Sequence, residues 1–141
     1  MELDDFVNRL CQRILLYIES GEKPGKLVDF VPADSLSKTS DLHLPLEGRG
    51  TEAVFDDIDE FLRKTVKTNR AEFMNPLWGG LNLTGFAGEV ITALTNTSMY
   101  TYELAPFATL IEQAILKRMG ELVGFSGGAG TLATGGSNGN M

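Results

Sequence analysis

The chain has 141 residues, of which 43% are hydrophobic and 22% charged, proportions that are ordinary for one globular domain with a core of its own. Its net charge of -7 offers no basic surface, and no apolar run approaches a membrane span, so neither nucleic acid nor membrane is expected as a partner. The single Cys11 excludes an internal disulfide and, with an acidic N-terminus unlike a signal peptide, predicts a cytoplasmic location.

The first predicted element is an amphipathic helix over residues 4–20, where apolar residues recur at three- and four-residue spacing. Gly21 is expected to end it. Residues 22–50 hold three prolines and little periodicity, which predicts an extended connector. We interpret His43 in this connector as a surface residue, because a lone histidine in a loop is more often exposed than a ligand or a base.

A second amphipathic helix is predicted over residues 52–67, with Thr51 as its N-cap. The apolar stripe expected to be buried is Val54, Phe55, Ile58, Phe61, Leu62 and Val66. The acidic run 56–60 is interpreted as a solvated face, because the carboxylates of a cation site converge from a turn. No Cys/His cluster supports a metal site either.

Residues 69–83 are predicted to form a loop, which carries Trp78. A helix with small residues on one face is predicted over residues 84–95, with Thr84 as its N-cap. The polar and aromatic segment 96–106 then leads into the last predicted helix.

That last helix opens at Pro106 and runs to about Val123, with Gly124 as a C-cap. The residues expected to face inward are Phe107, Leu110, Ile111, Ala114, Ile115, Leu122 and Val123.

The 16 glycines are concentrated toward the C-terminal end of the chain. Residues 135–140 are typical of a phosphate cradle, because glycine permits backbone angles that aim successive amides at one anion, and Ser137 can add a hydroxyl. The residues alone leave two alternatives open. One is a flexible linker. The other is a dinucleotide site at residues 128–133, which match G-x-G-x-x-A but do not follow a strand.

Several stretches together resemble the N-terminal part of the pyridoxal-phosphate-dependent group II decarboxylases, which act on glutamate, cysteine sulfinate, aspartate and aromatic amino acids. These stretches are FMNPL at 73–77, GFAGE at 85–89, NTSMYTYELAP at 96–106, the pair Glu112–Gln113 and GGSNGNM at 135–141. The resemblance is specific from residue 70 onward and rests on helix pattern before it.

The resemblance implies an α/β parent fold, the aspartate-aminotransferase-like fold type I of pyridoxal-phosphate enzymes. This chain would be its mostly α-helical N-terminal part, ending in a Gly-rich loop. Residues 1–83 would form a helical dimerisation segment, and residues 84–141 the start of the cofactor-binding domain. The resemblance also implies a homodimer with shared active sites, in which the connector 22–50 wraps the partner and the segment 96–106 reaches the neighbouring pocket.

The implied cofactor is pyridoxal 5'-phosphate, with its phosphate held by Gly136, Ser137, Asn138 and Gly139. The implied substrate-pocket residues are Asn75, Pro76, Thr97, Ser98 and Tyr100. Glutamate-type members often carry Gln where Pro76 stands, so their contact with the substrate carboxylate does not carry over. Members often carry Ser where Gly139 stands, and only backbone donation is kept there.

The implied activity is release of CO2 from an amino acid, most of all an acidic one, to give the amine. The family's catalytic lysine, aspartate and histidine lie beyond the phosphate loop, so no catalytic residue is assigned in this chain. Lys117 and His43 do not stand at those positions. We therefore expect the chain to be inactive without the missing C-terminal part of the enzyme. An alternative is a non-catalytic helical dimerisation or interaction module, which the amphipathic helices favour.

Overall fold

A computed structural model describes residues 2–125 and 127–140 of the chain. Over those residues the chain forms six helices and no strand, which confirms the prediction of a mostly helical chain. The helices are α1 (Leu3–Ser20), α2 (Ala33–Thr39), α3 (Gly50–Lys64), α4 (Leu83–Thr95), α5 (Pro106–Leu122) and α6 (Gly136–Gly139). None of the helices in the described ranges is both long and apolar enough to cross a bilayer. The chain divides into two compact units, one reaching Phe86 and the other beginning at Ala87.

The first unit is built on the packing of α1 against α3. Phe55 on α3 is 1% exposed, and its ring centroid lies 5.0 Å from that of Phe6 on α1. The rest of the predicted α3 stripe is less buried, since Val54 is 44% exposed, Phe61 69% and Val66 41%. The prediction was therefore right at Phe55 and wrong at these three positions, because α1 covers only part of the apolar face of α3, and Val66 lies beyond the end of that helix.

Two arginines of α1 reach across to α3 and frame the buried ring. Arg9 donates two hydrogen bonds of 2.7 Å to the carboxylate of Glu52, and Arg13 donates two of 2.8 Å to Asp59. Their guanidinium carbons lie 4.2 and 4.5 Å from the centroid of the Phe55 ring. Because a planar cation is attracted to the face of an aromatic ring, each arginine combines an ion pair with packing.

The connector 22–50 contains helix α2, which corrects the prediction of a wholly extended segment. The carbonyl of Pro32 accepts the N–H groups of Ser35 and Leu36, both at 2.9 Å, and so starts the helix. Its seven residues make about two turns, too few for an apolar repeat to be visible in the sequence.

Both predicted threonine caps are wrong, because Thr51 and Thr84 lie inside their helices. α3 begins at Gly50, and no side-chain hydrogen bond caps it. α4 begins one residue before Thr84, and the side-chain Oδ1 of Asn82 accepts the N–H of Gly85 at 2.8 Å. Asn82 thus satisfies one of the amides that the first turn leaves free.

Residues 67–70, here called the 67–70 junction, tie the end of α1 to the connector and to the loop that follows α3. The N–H of Lys67 donates to the carbonyl of Leu27 at 2.7 Å, and Nδ2 of Asn69 donates to the carbonyl of Tyr17 at 2.6 Å. α3 ends at Lys64, three residues before the predicted residue 67, because Thr65 takes an extended conformation with φ -77 and ψ 158.

In the second unit, α5 spans Pro106–Leu122 and ends at a glycine turn, as the sequence predicted. Gly124 has φ +76, the left-handed conformation that glycine adopts without a steric penalty. Its N–H donates to the carbonyl of Glu121 at 3.2 Å, and the N–H of Phe125 donates to that of Gly120 at 2.8 Å. This pair of bonds is a Schellman motif, which satisfies the last carbonyls of the helix.

The face of α5 that was expected to point inward is largely exposed. Phe107 is 75% exposed, Leu122 69% and Val123 79%. The other four predicted residues are exposed as well, so the prediction was wrong at all seven positions: Phe107, Leu110, Ile111, Ala114, Ile115, Leu122 and Val123. Half-buried side chains occur instead at Glu112 and Leu116, on the face along which the C-terminal tail runs. Apolar spacing marks an amphipathic helix, but it does not say which neighbour covers it.

Candidate functional site

The predicted site residues lie in three segments of the chain. Asn75 and Pro76 belong to a loop in the first unit, whereas the segment 96–105 and the C-terminal tail 127–140 belong to the second.

In the first unit, the loop from Phe73 to Trp78 is ordered by short-range contacts. The two aromatic ring centroids at its ends lie 6.2 Å apart. Oδ1 of Asn75 accepts the N–H of Leu77 at 2.8 Å, an Asx turn that carries Pro76 at its centre. Asn75 is half-buried and Pro76 is exposed, so the turn presents Pro76 to its surroundings.

The 67–70 junction anchors this loop on both sides. The N–H of Phe73 donates to the carbonyl of Arg70 at 3.0 Å, and the N–H of Leu81 donates to that of Thr68 at 3.1 Å. A Cβ at Gly80 would collide with the Thr68 carbonyl oxygen, so this close approach requires glycine. The junction thus fixes where the loop leaves and rejoins the helical part of the first unit.

Lys67 in the same junction is held in a partly desolvated place. Its ammonium donates to the carbonyl of Leu62 and lies 4.9 Å from the centroid of the Tyr17 ring. The pKa of Lys67 is lowered, first by burial and then by the positive charge of Arg70. Its contacts are therefore with backbone and ring atoms of its own unit.

In the second unit, the segment 96–105 presents three of the predicted substrate residues outward. Thr97, Ser98 and Tyr100 are all exposed, Tyr100 by 87%. Oγ of Ser98 accepts the N–H of Tyr100 at 3.4 Å, and Asn96 takes a left-handed φ of +45 where α4 ends. The segment thus leaves its hydroxyl groups available to a bound molecule.

Thr101 folds the second half of this segment against the start of α5. Its carbonyl accepts the N–H groups of Leu104 and Ala105, both at 3.2 Å, and Ala105 is only 4% exposed. The pKa of Glu103 is lowered, first by the hydrogen bond from its own N–H and then by that from the Thr101 hydroxyl. Glu103 is therefore an ionised side chain engaged with its own turn.

The C-terminal tail runs back along α5 after the glycine turn. A Cβ at Gly130 would lie 3.3 Å from the side chain of Leu116, so the tail passes close to the helix there. Further on, Oε1 of Glu112 accepts the N–H of Leu132 at 2.9 Å and lies 3.5 Å from the hydroxyl of Thr131. The tail is thereby attached to the helix before the predicted phosphate loop begins.

The predicted phosphate loop itself contains the single helical turn α6, Gly136–Gly139, where an irregular loop was expected. Gly135 precedes it with φ +140, a conformation that requires glycine, and its carbonyl accepts the N–H of Gly139 at 3.0 Å. Nδ2 of Asn138 donates to the hydroxyl of Thr134 at 3.0 Å. Consecutive small residues make this tight turn possible, since no bulky side chain opposes it.

The donors of this turn suit a phosphate ester. Within the described parts of the chain, the N–H groups of Gly136, Ser137 and Asn138 have no protein acceptor, and the Ser137 hydroxyl makes no hydrogen bond. A Cβ at Gly136 would meet nothing within 4 Å, so the backbone there is open to approach. Phosphate oxygens accept several hydrogen bonds, and consecutive backbone amides are common donors to them. The N–H of Gly139 is already used within the turn.

A groove of about 520 Å³ lies between residues 40–45 and α3, apart from the predicted site residues. Arg49 borders it and forms ion pairs with Asp41 at 3.4 Å and Asp57 at 2.5 Å. His43 also lines it and is exposed, which confirms its interpretation as a surface residue.

The sequence did not reveal two structural roles near these segments. One is the attachment of the tail by Glu112, a residue singled out from the sequence only for a resemblance. The other is the 67–70 junction, in which Asn69 and Arg70 donate to the carbonyls of Tyr17 and Lys23, more than forty positions earlier in the chain. No local sequence pattern predicts hydrogen bonds between residues so far apart in the chain, because their acceptors are backbone carbonyls, which every residue has.

Comparison with known proteins gives a family match over the range that holds these segments. The profile of the pyridoxal-dependent decarboxylase conserved domain matches residues 32–141. That range holds the 73–78 loop, the segment 96–105 and the whole tail.

Individual relatives are decarboxylases of acidic amino acids by name. The chain is 34% identical over 141 residues to glutamate decarboxylase of Drosophila melanogaster, which covers 99% of this chain and 28% of that protein. It is 36% identical over 116 residues to cysteine sulfinic acid decarboxylase of Mus musculus, and the aligned region covers 82% of this chain and 24% of that protein. It is 32% identical over 140 residues to an acidic amino acid decarboxylase of Mus musculus, and the aligned region covers 98% of this chain and 26% of that protein. The chain thus spans about a quarter of the length of these relatives.

Proposed function

The chain belongs to the pyridoxal-dependent decarboxylase family, and on that premise we propose that it is the N-terminal part of an enzyme that releases CO2 from an acidic L-amino acid and yields the amine. The observation that carries the proposal is the match of residues 32–141 to the family, which includes every segment singled out from the sequence after the connector. The substrate class follows from the relatives, whose names specify glutamate, cysteine sulfinic acid and acidic amino acids.

The tail supplies the proposed phosphate site for pyridoxal 5'-phosphate. The free N–H groups of Gly136, Ser137 and Asn138, with the Ser137 hydroxyl, would hold the phosphate oxygens. Gly139 would line the site as part of the same turn. When bound, the cofactor ring accepts the electron pair that remains on the substrate when CO2 leaves. The contribution of this chain is to bind the phosphate end and so place the ring.

The hydroxyl groups of the segment 96–105 are the proposed contacts of the substrate. Thr97, Ser98 and Tyr100 are exposed and able to donate hydrogen bonds to a carboxylate. Pro76 has no side-chain donor, so these hydroxyls would take the larger share in holding the acidic side chain of the substrate. Asn75, which shapes the turn around Pro76, would line the pocket.

We further propose the fold-type-I parent architecture and a homodimer with shared active sites. The homodimer is supported in this chain by the exposed apolar surface of the connector, where Phe30 is 81% exposed, Leu44 88% and Leu46 105%. Such side chains are expected to be covered by protein in the assembled enzyme. The catalytic lysine, aspartate and histidine would come from sequence beyond the phosphate loop. The lone exposed thiol of Cys11 suits an enzyme of the reducing cytoplasm.

The direct test is an assay of CO2 release by the protein expressed from its own reading frame and supplied with pyridoxal 5'-phosphate. L-glutamate, L-aspartate and L-cysteine sulfinate are the substrates, and L-phenylalanine is the control. We expect release from at least one acidic amino acid and none from phenylalanine. Release from phenylalanine alone would contradict the substrate class, and release from none would contradict the proposed activity.

A single substitution tests the phosphate site. Ser137→Ala removes one hydroxyl donor, and we expect it to weaken pyridoxal-phosphate binding roughly tenfold, the effect of one hydrogen bond to a charged group. Ser37→Ala is the matched control, because the Ser37 hydroxyl donates within α2 to the carbonyl of Asp34 at 3.1 Å. Equal affinity of native protein and S137A would argue against Ser137 as a phosphate contact.

The 141-residue chain by itself gives a further check. We expect no absorption band of a lysine-bound cofactor and no CO2 release after pyridoxal 5'-phosphate is added. Such a band would show that a lysine of this chain carries the cofactor, and the site assignment would then move.

The alternative is a non-catalytic helical module for dimerisation or interaction. It is favoured by the small core of the described residues, where Phe55 and Ala105 are the buried apolar side chains. Sedimentation equilibrium together with the CO2 assay separates the two functions. A stable oligomer from the native reading frame that releases no CO2 would support the module.

A further inference from the structure

Glu112 makes the last attachment between α5 and the tail. Its Oε1 accepts the N–H of Leu132 at 2.9 Å, and Glu112 itself is half-buried. Beyond Leu132, the hydrogen bonds found in the described part of the tail join residues 134–140 to one another. The 135–139 turn is therefore hydrogen-bonded within the tail, and its position relative to α5 depends on the attachment at Leu132, just before the turn.

The spacing of the contact residues along the tail matches the spacing of their partners along α5. Glu112 and Leu116 are one turn apart on α5, about 6 Å along its axis. Their neighbours Gly130 and Leu132 are two residues apart in the tail, a reach of at most about 7 Å. One turn of α5 thus spans two residues of tail, and the Glu112 bond fixes this register.

The register matters because the tail is rich in glycine. Ordering a glycine costs more backbone entropy than ordering any other residue. If the tail were loosely held, phosphate binding would have to supply the free energy for ordering it. Three residues of chain separate Leu132 from Gly136, so a bond at Leu132 restricts where the free amides can lie. An attachment made before binding removes part of the ordering cost.

We propose that Glu112 is a positioning residue of the cofactor-phosphate site. Its carboxylate holds residues 131–132 on α5, and residues 135–139 consequently meet the phosphate in a preset place. Glu112 does not itself contact the phosphate. This inference rests on the proposed function, since it takes the 135–139 turn to be a phosphate site.

The first experiment measures hydrogen exchange of the Leu132 amide by NMR in the protein expressed from its own reading frame. Glu112→Ala removes the acceptor, and we expect the Leu132 amide to exchange about tenfold faster or more. Glu112→Gln keeps an acceptor oxygen and is expected to restore most of the protection. Glu121→Gln is the control, because Glu121 lies on the same helix but pairs with Arg118 at 3.1 Å. Equal exchange in native chain and E112A would overturn the proposal.

The second experiment uses the protein from its own reading frame and compares pyridoxal 5'-phosphate with pyridoxal, which lacks the phosphate. We expect E112A to weaken binding of the phosphate ester about tenfold and of pyridoxal much less, with rescue by E112Q and no effect of E121Q. Equal weakening of both compounds in E112A would overturn the positioning role and leave the proposed function standing. If the native protein binds neither compound, the proposed function and this inference both fail, while the exchange result still reports on the Glu112–Leu132 bond.

Discussion

Phe55 is the residue on which the packing of α1 and α3 depends. It is 1% exposed and lies between the ring of Phe6 and the guanidinium groups of two arginines. Phe55→Ala leaves a cavity that these groups cannot fill, so we expect it to lower the free energy of unfolding by about 3 kcal/mol. Urea unfolding followed by circular dichroism measures the change. Phe61→Ala is the control, because Phe61 is 69% exposed on the same helix, and a similar loss there would contradict this account.

The Arg9–Glu52 ion pair between α1 and α3 makes the stability of the fold depend on pH. The pKa of Glu52 is lowered, chiefly by the hydrogen bonds from Arg9. A lowered pKa in the folded state stabilises the fold above the ordinary carboxyl pKa, and this contribution is lost as pH falls through the folded-state value. We therefore expect native protein to lose stability between about pH 5 and pH 3 more steeply than Glu52→Gln.

Denaturant unfolding at a series of pH values measures this slope. Glu60, whose pKa is also lowered, first by Lys64, contributes with the same sign in both proteins. Glu47→Gln is the control, because Glu47 makes no ion pair within residues 2–125 and 127–140. Parallel slopes for native protein and E52Q would show that the pair does not couple folding to pH.

At the scale of elements, we expect substitution by alanine to have opposite effects on stability at two glycines of the second unit. Gly124 ends α5 with φ +76, so Gly124→Ala places a Cβ in a strained conformation and is expected to cost about 1 kcal/mol. Gly88 lies inside α4 with open space around it, so Gly88→Ala is expected to stabilise by up to about 1 kcal/mol. Thermal unfolding of the two variants compares them directly. A shift of the same sign in both would contradict the assigned backbone roles.

At the scale of the whole molecule, many large apolar side chains of the described residues are exposed, whereas Phe55 and Ala105 are the buried ones among those residues. Leu44 and Leu46 in the connector are 88% and 105% exposed. If a second copy covers them, as proposed, replacing both by lysine should raise the dimer dissociation constant tenfold or more, because charges would have to be desolvated at the interface. Sedimentation equilibrium measures this constant. Leu122→Lys, at a side chain 69% exposed outside the connector, is the control.

Local spacing in the sequence is sufficient to predict some of the helices. α1 and α5 were predicted closely, since an apolar repeat of several turns and a terminal glycine each act within a few residues. The family was likewise readable from the order of short segments, and the match over residues 32–141 confirms it. The roles of the site residues within those segments stay predictions.

The partners that these elements contact follow from the path of the chain in three dimensions. The tertiary structure identified the covered part of the α3 stripe at Phe55, the bond of Asn69 to the end of α1, and the attachment of the tail to α5 through Glu112. Each of these joins groups 20 or more positions apart, as with Leu132 and Glu112. The physical reason is that backbone carbonyls and carboxylates accept hydrogen bonds from any donor brought near, so the partner is set by the path of the chain in space and not by local sequence.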